Sequence, residues 1–167
     1  MLDSSHLQLC VIGTIHTPFS QQEGTPIQPF RGKGKDTKAT IEILPEFREG
    51  LQDLAGFERI WLLFGFHYSS GYKTKVIPYL DTEERGLFAT RAPRRPSPIG
   101  LSSTKLLSVD MDAGKLEIQG VDMLDGTPLF DIKPYIPRSD AFPDSRFGWL
   151  EHVIEKDRNA DDRFSSI

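Results

Sequence analysis

Short apolar stretches cut by glycine and proline dominate this sequence, and a helical repeat survives in only one place. Seven segments read as strands: 8–15, 40–44, 60–67, 86–90, 101–109, 115–121 and 129–136. Lys115-Leu-Glu-Ile-Gln alternates strictly, with Leu116 and Ile118 on one face and Lys115, Glu117 and Gln119 on the other. That is the pattern of a half-buried antiparallel strand. Ile60-Trp-Leu-Leu-Phe-Gly-Phe is apolar throughout, which predicts burial on both faces, with Gly65 marking a bend or a close approach. The single helical segment starts at Pro45 with Glu46 in its first turn, aligns Phe47, Leu51 and Leu54, and ends at Gly56. Gly50 weakens it.

Many short strands with so little helix predict an all-β fold. The expected architecture is a small single-domain β-barrel with short helices over residues 1–150, followed by a charged C-terminal tail over 151–167. No GxGxxG follows a strand and opens a helix, so a dinucleotide-binding βαβ unit is excluded. A chain of 167 residues can enclose one core without staples, and 38% hydrophobic with 26% charged residues is the balance of a soluble globular protein. The polar start and the lack of any apolar run near 20 residues predict a cytoplasmic protein without a membrane span. Cys10, alone in the apolar run 9–12, has no internal disulfide partner and is expected to be buried. His6, His16, His67 and His152 show no ligand spacing, so no metal site is expected.

The net charge of −4 argues against a protein that coats nucleic acid nonspecifically. Basic residues nevertheless gather locally, at Arg31, Lys33, Lys35 and Lys38 and again at Arg85, Arg91, Arg94 and Arg95. The second group lies in or near Thr90-Arg-Ala-Pro-Arg-Arg-Pro-Ser-Pro-Ile-Gly-Leu101, three prolines and three arginines in one inter-strand loop. Proline stiffens such a backbone, and arginine on a stiff platform suits carboxylate or phosphate, although a solvated edge loop has the same composition. The stretch Gly120-Val-Asp-Met-Leu-Asp-Gly-Thr-Pro128 contains a turn signal at Asp125-Gly126. Beyond it, period two sets Asp131, Lys133 and Tyr135 on one face, opposite Phe130, Ile132 and Pro134. Those polar groups either line a pocket or form a solvent face with a surface ion pair, and spacing alone favours the ion pair. His67 ends an apolar strand just before Tyr68, where a ring meets a ligand or takes a strand-end hydrogen bond.

The pieces Ile12-Gly-Thr-Ile-His-Thr-Pro-Phe19, Pro26-Ile-Gln-Pro29, Ile60-Trp-Leu-Leu-Phe64 with Phe66-His67, Phe88-Ala-Thr-Arg91, Arg95-Pro-Ser-Pro-Ile-Gly-Leu101, Asp122-Met-Leu-Asp-Gly-Thr-Pro128 and Asp131-Ile-Lys-Pro-Tyr135 run in order over 11–149. Together they resemble the TsaA-like family, also called the TrmO or YaeB family, of tRNA adenine N6-methyltransferases. The resemblance implies a small β-barrel that binds S-adenosylmethionine, forms a homodimer and methylates N6 of threonylcarbamoyl-adenosine beside the tRNA anticodon. Two departures stand out: Ser97 occupies a position where the family more often has Asn, and the C-terminal extension of longer bacterial members is absent.

Carried onto this chain, the pattern implies that Pro26, Ile27 and Gln28 flank the cofactor, joined by His67 and Tyr68 at the strand end. Reasoning from residue type, we expect Arg91 to partner the cofactor's carboxylate, Leu101 to contribute apolar surface, and Gly120, Val121, Asp122 and Asp125 to supply backbone groups and carboxylates. Asp131 and Tyr135 are the candidate bases for the departing N6 proton, and Arg94, Arg95, Lys33 and Lys35 are the candidate tRNA contacts. Two alternatives stay open: methyl transfer to another RNA or a small molecule, and a non-catalytic ligand- or RNA-binding module.

Overall fold

Six strands close on themselves in the computed structural model, which describes residues 8–29 and 36–153. The barrel strands are β1 (Gly13–His16), β2 (Lys38–Ile43), β3 (Arg59–Gly65), β6 (Ile99–Asp110), β7 (Lys115–Gln119) and β8 (Thr127–Pro134). Their order is β1-β2-β7-β6-β3-β8, and β1 returns to β8, so no barrel edge is left unpaired. Every neighbouring pair is antiparallel. Outside the barrel, β4 (Lys75–Val76) and β5 (Arg85–Gly86) form a two-residue hairpin. The expected all-β barrel is therefore what the chain builds.

Alternation drives the closure. Ile15, Ile41, Ile60, Leu62, Leu116, Ile118 and Leu129 are completely buried and meet at the barrel axis. Removing each from water is worth about 1.5–3 kcal/mol. At the β3–β6 seam, Phe64 pairs with Gly100, and its ring fills the space where a Cβ on Gly100 would stand. Gly65 marks the close approach expected of it, because a Cβ there would overlap the Phe130 ring. The β3–β8 register shifts between Leu63 and Phe64, so Leu63 faces Asp131 while Phe64 faces Leu129. Phe130 is the extra residue of that bulge.

Four expectations need correction. β3 is buried on one face only: Ile60, Leu62 and Phe64 point inward, while Trp61 and Leu63 are half-buried on the outside. A closed barrel has one interior, and the outer face is covered only in part, by a Tyr135 ring 5.5 Å from that of Trp61 and by Asp140, which accepts from Trp61 Nε1 at 2.9 Å. The helix over 45–56 is two 3₁₀ turns, Pro45–Leu51 and Leu54–Gly56, separated by Asp53 at a left-handed φ of 64°. Leu51 and Leu54 still reach the core, so the hydrophobic spacing is used without an α-helix. The segment 86–90 is strand only at its start, since Leu87–Ala89 forms a 3₁₀ turn. Cys10 is exposed rather than buried. The ladder begins at Gly13, and of the run before it Ile12 is the residue that packs against the core.

Downstream of β8 come a one-turn helix, Pro137–Asp140, and a 3₁₀ turn, Gly148–His152. The boundary expected at 150/151 falls within that last turn, and residues 1–7, 30–35 and 154–167 lie outside the described residues.

Candidate functional site

Three long connections converge at one end of the barrel: the loop after β1, the proline–arginine loop before β6, and the link from β7 to β8. The first is pinned by Asp125. Its Oδ1 accepts from Thr17 N at 3.1 Å and stands 3.4 Å from His16 Nδ1, while its own N–H donates to Phe19 O at 2.8 Å. Thr17 Oγ1 adds a bond to Met123 O at 3.0 Å. Asp125 thus acts as a staple between two connections, close to the turn role its Asp-Gly setting suggests.

The arginine loop supplies its own framework. Its prolines lack N–H donors, and Arg95 Nη1 takes up the slack by donating to Thr90 O at 3.0 Å and Ala92 O at 3.3 Å. The Arg95 guanidinium also lies 5.7 Å from the Phe88 ring centre. Thr90 Oγ1 donates to Leu87 O at 2.8 Å and accepts from Ala92 N at 3.3 Å. Held on both sides, Arg91 reaches across to the first loop, where its Nη1 donates to Gln28 Oε1 at 2.6 Å.

The third element is Asp122. Its Oδ1 accepts from Ser102 Oγ at 2.8 Å, a buried serine on the inward face of β6. Burial pushes the Asp122 carboxyl up to about 6 from 3.8; the Ser102 bond, its own backbone N–H and the positive charge of Arg91 partly offset that rise. The residue as a whole keeps some exposure, while its carboxyl group is enclosed. Gln28, Arg91 and Asp122, from three separate segments, therefore share one electrostatic neighbourhood. Ser102 is the member that sequence reasoning missed. Part of its signal was available: Ser102 lies next to apolar Leu101 on a strand, and a buried hydroxyl favours a partner, although the buried hydroxyl of Thr104 two residues on has none among the described residues.

The other expected residues are placed as follows. Pro26 is buried, and Ile27 and Gln28 are half-buried. Val121 is completely buried in the core, so only its backbone can face a ligand, and Gly120 at φ 82° donates to Thr37 O at 3.0 Å. His67 and Tyr68 leave β3 with ring centres 4.0 Å apart, and His67 Nδ1 is 3.5 Å from Thr127 Oγ1. Tyr68 is 73% exposed and Leu101 57%. Asp131 forms an ion pair with Lys133 at 2.7 Å, the surface pair favoured by spacing, with Tyr135 against Trp61 on the outer wall. Arg94 is half-buried, and Lys33 and Lys35 lie outside the described residues.

A separate surface hollow of about 290 Å³ is lined by His16, Thr17, Lys38, Thr40 and Glu117 among others, and it contains none of Gln28, Arg91, Ser102 or Asp122. The chemistry is concentrated around Asp122 rather than in that hollow. Among the described residues, no three His, Cys, Asp or Glu side chains are grouped to hold a metal, and no helix is long and apolar enough to cross a membrane.

A family model described as the tRNA-methyltransferase O N-terminal domain matches residues 14–141, nearly the whole barrel. A probable S-adenosyl-L-methionine-binding protein of Pyrococcus abyssi is 46% identical over 166 residues, which is 96% of this chain and 88% of that protein. A mouse tRNA (adenine(37)-N6)-methyltransferase is 37% identical over 147 residues, covering 84% of this chain and 33% of its own length. The crystal structure of TrmO from Pseudomonas aeruginosa superposes with a TM-score of 0.71 at 38% identity, covering 86% of this chain and 62% of that one. The chain thus spans less than two thirds of the Pseudomonas protein and a third of the mouse one. With the domain match and these similarities in hand, the chain belongs to the tRNA-methyltransferase O family.

Proposed function

We propose that this protein transfers a methyl group from S-adenosylmethionine to N6 of an adenine in tRNA, the acceptor being threonylcarbamoyl-adenosine beside the anticodon. The observation that carries the reading is the convergence of Gln28, Arg91 and Asp122. They lie inside a domain whose relatives are named as S-adenosyl-L-methionine-binding proteins and as tRNA (adenine(37)-N6)-methyltransferases.

The donor set fits that cofactor. S-adenosylmethionine ends in an amino acid, with an ammonium and a carboxylate on one carbon, and a guanidinium within electrostatic reach of an enclosed carboxyl is the complement of that pair. Asp122 is held toward its neutral form by burial, so a cation or hydroxyl donor brought against it restores the charge. Leu101 and Tyr68 offer exposed apolar and aromatic surface for a ring.

Bound S-adenosylmethionine supplies an electrophilic methyl group on a sulfonium. Transfer of that methyl is an in-line displacement, for which the protein mainly fixes distance and angle. Arg91 and Gln28 orient the cofactor's polar end. Adenine N6 is a weak nucleophile and releases a proton. Asp131, across Leu63 from Leu101 on the outer wall, is the proposed acceptor, whereas Tyr135 packs on Trp61 at the Arg59 end of β3, away from the other site residues, and is not assigned the proton. Arg94, Arg95, Lys33 and Lys35 are the proposed tRNA phosphate contacts. The deciding experiment is nucleoside mass spectrometry of tRNA from cells with and without the protein. Loss of the N6-methylated nucleoside is expected, and an unchanged nucleoside profile overturns the tRNA reading.

A homodimer completes the proposal. On the outer wall Leu63 pairs with Leu101, and Ile99 and Leu101 are 39% and 57% exposed; Phe88, on the Leu87–Ala89 turn, is 80% exposed. Exposed apolar surface of this kind is suited to a partner subunit. Light scattering is expected to give twice the chain mass; a monomer mass that cofactor leaves unchanged removes the dimer.

A further inference from the structure

Arg91 stands on a foundation outside the barrel ladder. The β4–β5 hairpin has two residues in each strand, too few to be stable alone. It is supported by a second small core in which Leu87 and Ala92 are buried against Val76 and Tyr79. Ala89 leads directly into Thr90 and Arg91.

A residue from the far end of the described chain closes this unit. Trp149, on the 3₁₀ turn Gly148–His152, donates from Nε1 to Ala89 O at 2.8 Å. Its ring centre lies 5.5 Å from the guanidinium carbon of Arg85. Arg85 is itself held by Asp81 at 2.7 Å and Glu83 at 3.0 Å, and the Arg85 bond draws the Asp81 carboxyl below its usual range. The indole therefore clamps both β5 and the residue two before Arg91. Trp149 lies beyond the segment 14–141 that the family domain covers.

We propose that Trp149 is a positioning residue for cofactor binding: it straps the C-terminal segment over the turn before Arg91 and thereby sets where the Arg91 guanidinium stands. This rests on the reading of Arg91 as a cofactor contact. The indole N–H fixes the carbonyl of Ala89, the Thr90 hydroxyl that of Leu87 and Arg95 those of Thr90 and Ala92, and Arg91 is left to meet Gln28 and the ligand.

The test is isothermal calorimetry with S-adenosylmethionine on the full chain, comparing Trp149→Ala, Trp149→Phe, Arg91→Ala and the double variant, each with an unfolding curve. Trp149→Ala is expected to weaken cofactor binding about fivefold to tenfold, the effect of one lost hydrogen bond and its ordering. Trp149→Phe keeps a ring over Arg85 but loses the N–H, and falls between. The double variant is expected to bind no more weakly than Arg91→Ala alone, because Trp149 acts through Arg91. A merely structural Trp149 lowers the melting temperature while the folded fraction binds as wild type; that result overturns the inference, as do additive losses in the double variant. If Arg91→Ala binds like wild type, the reading of Arg91 fails and the inference with it. If Arg91→Ala is weak while both Trp149 variants bind normally, the inference alone fails.

Discussion

Replacing Asp122 by Asn is expected to make the protein more stable and a poorer binder of cofactor at once. The carboxyl rises from 3.8 in the unfolded chain to about 6 when folded, chiefly because burial disfavours its charge. A group raised in this way takes up protons on folding between those two values, so stability is greatest below about 3.8 and falls as pH rises towards 6. At about 1.4 kcal/mol for each pH unit, the ionised carboxylate costs on the order of 3 kcal/mol at neutral pH. Asparagine has nearly the same shape, can accept from Ser102, and carries no charge to desolvate. Denaturant melts should therefore show Asp122→Asn gaining up to about 3 kcal/mol at pH 7.5 and matching wild type below pH 4. Cofactor affinity should move the other way. In the wild type it rises with pH through about 6 as the carboxylate forms, whereas in Asp122→Asn it is low and flat. Equal stability at pH 7.5 refutes the burial account, and undiminished affinity refutes the binding role. A charge kept where it destabilises the fold is what a ligand-binding group does.

The barrel was legible because period two is a local signal: Leu116 and Ile118 alternate with charged residues and could belong only to a half-buried strand. The outer face of β3 was misread because Trp61 and Leu63 are apolar by composition, while their coverage depends on residues some 70 positions away, Tyr135 and Asp140. Leu51 and Leu54 have spacing that fits a 3₁₀ pair and an α-helix alike, and only the left-handed Asp53 separates them. The Lys75–Val76 strand is too short to carry any period. Of the site, Gln28, Arg91 and Asp122 were located by resemblance to a family; read singly, each also suits an ordinary loop. Their proximity comes from the order in which strands join. Arg95 suits a phosphate contact by composition, and only the structure shows that its Nη1 also holds the carbonyls of Thr90 and Ala92. Ser102 was passed over because a serine in a strand reads as an outward residue until the register shows that it points to Asp122.

Arg91→Ala should weaken S-adenosylmethionine binding by about 1.5–3 kcal/mol, roughly 10- to 150-fold, the cost of removing a hydrogen bond to a charged group. The geometry makes this variant informative. Arg91 is exposed and bonds through Nη1 to Gln28 at 2.6 Å, which leaves the loop frame of Thr90, Ala92 and Arg95 independent of its guanidinium. Stability should therefore change little, and a loss of affinity can be read as a loss of contact. Lysine should not rescue it, because a point charge lacks the planar fork that can hold Gln28 and a carboxylate together. Arg94 supplies the contrast. It has no assigned role at the cofactor, so Arg94→Ala should bind S-adenosylmethionine as wild type does while its tRNA affinity falls and the salt dependence of that affinity flattens by about one phosphate contact. Arg95 is a poorer comparison, since removing it also strips the carbonyls of Thr90 and Ala92 of their donor. Calorimetry with cofactor and a salt titration with tRNA separate the two arginines. Wild-type cofactor binding by Arg91→Ala, or an unchanged salt slope for Arg94→Ala, would show that the loop does not divide its arginines between the two ligands in this way.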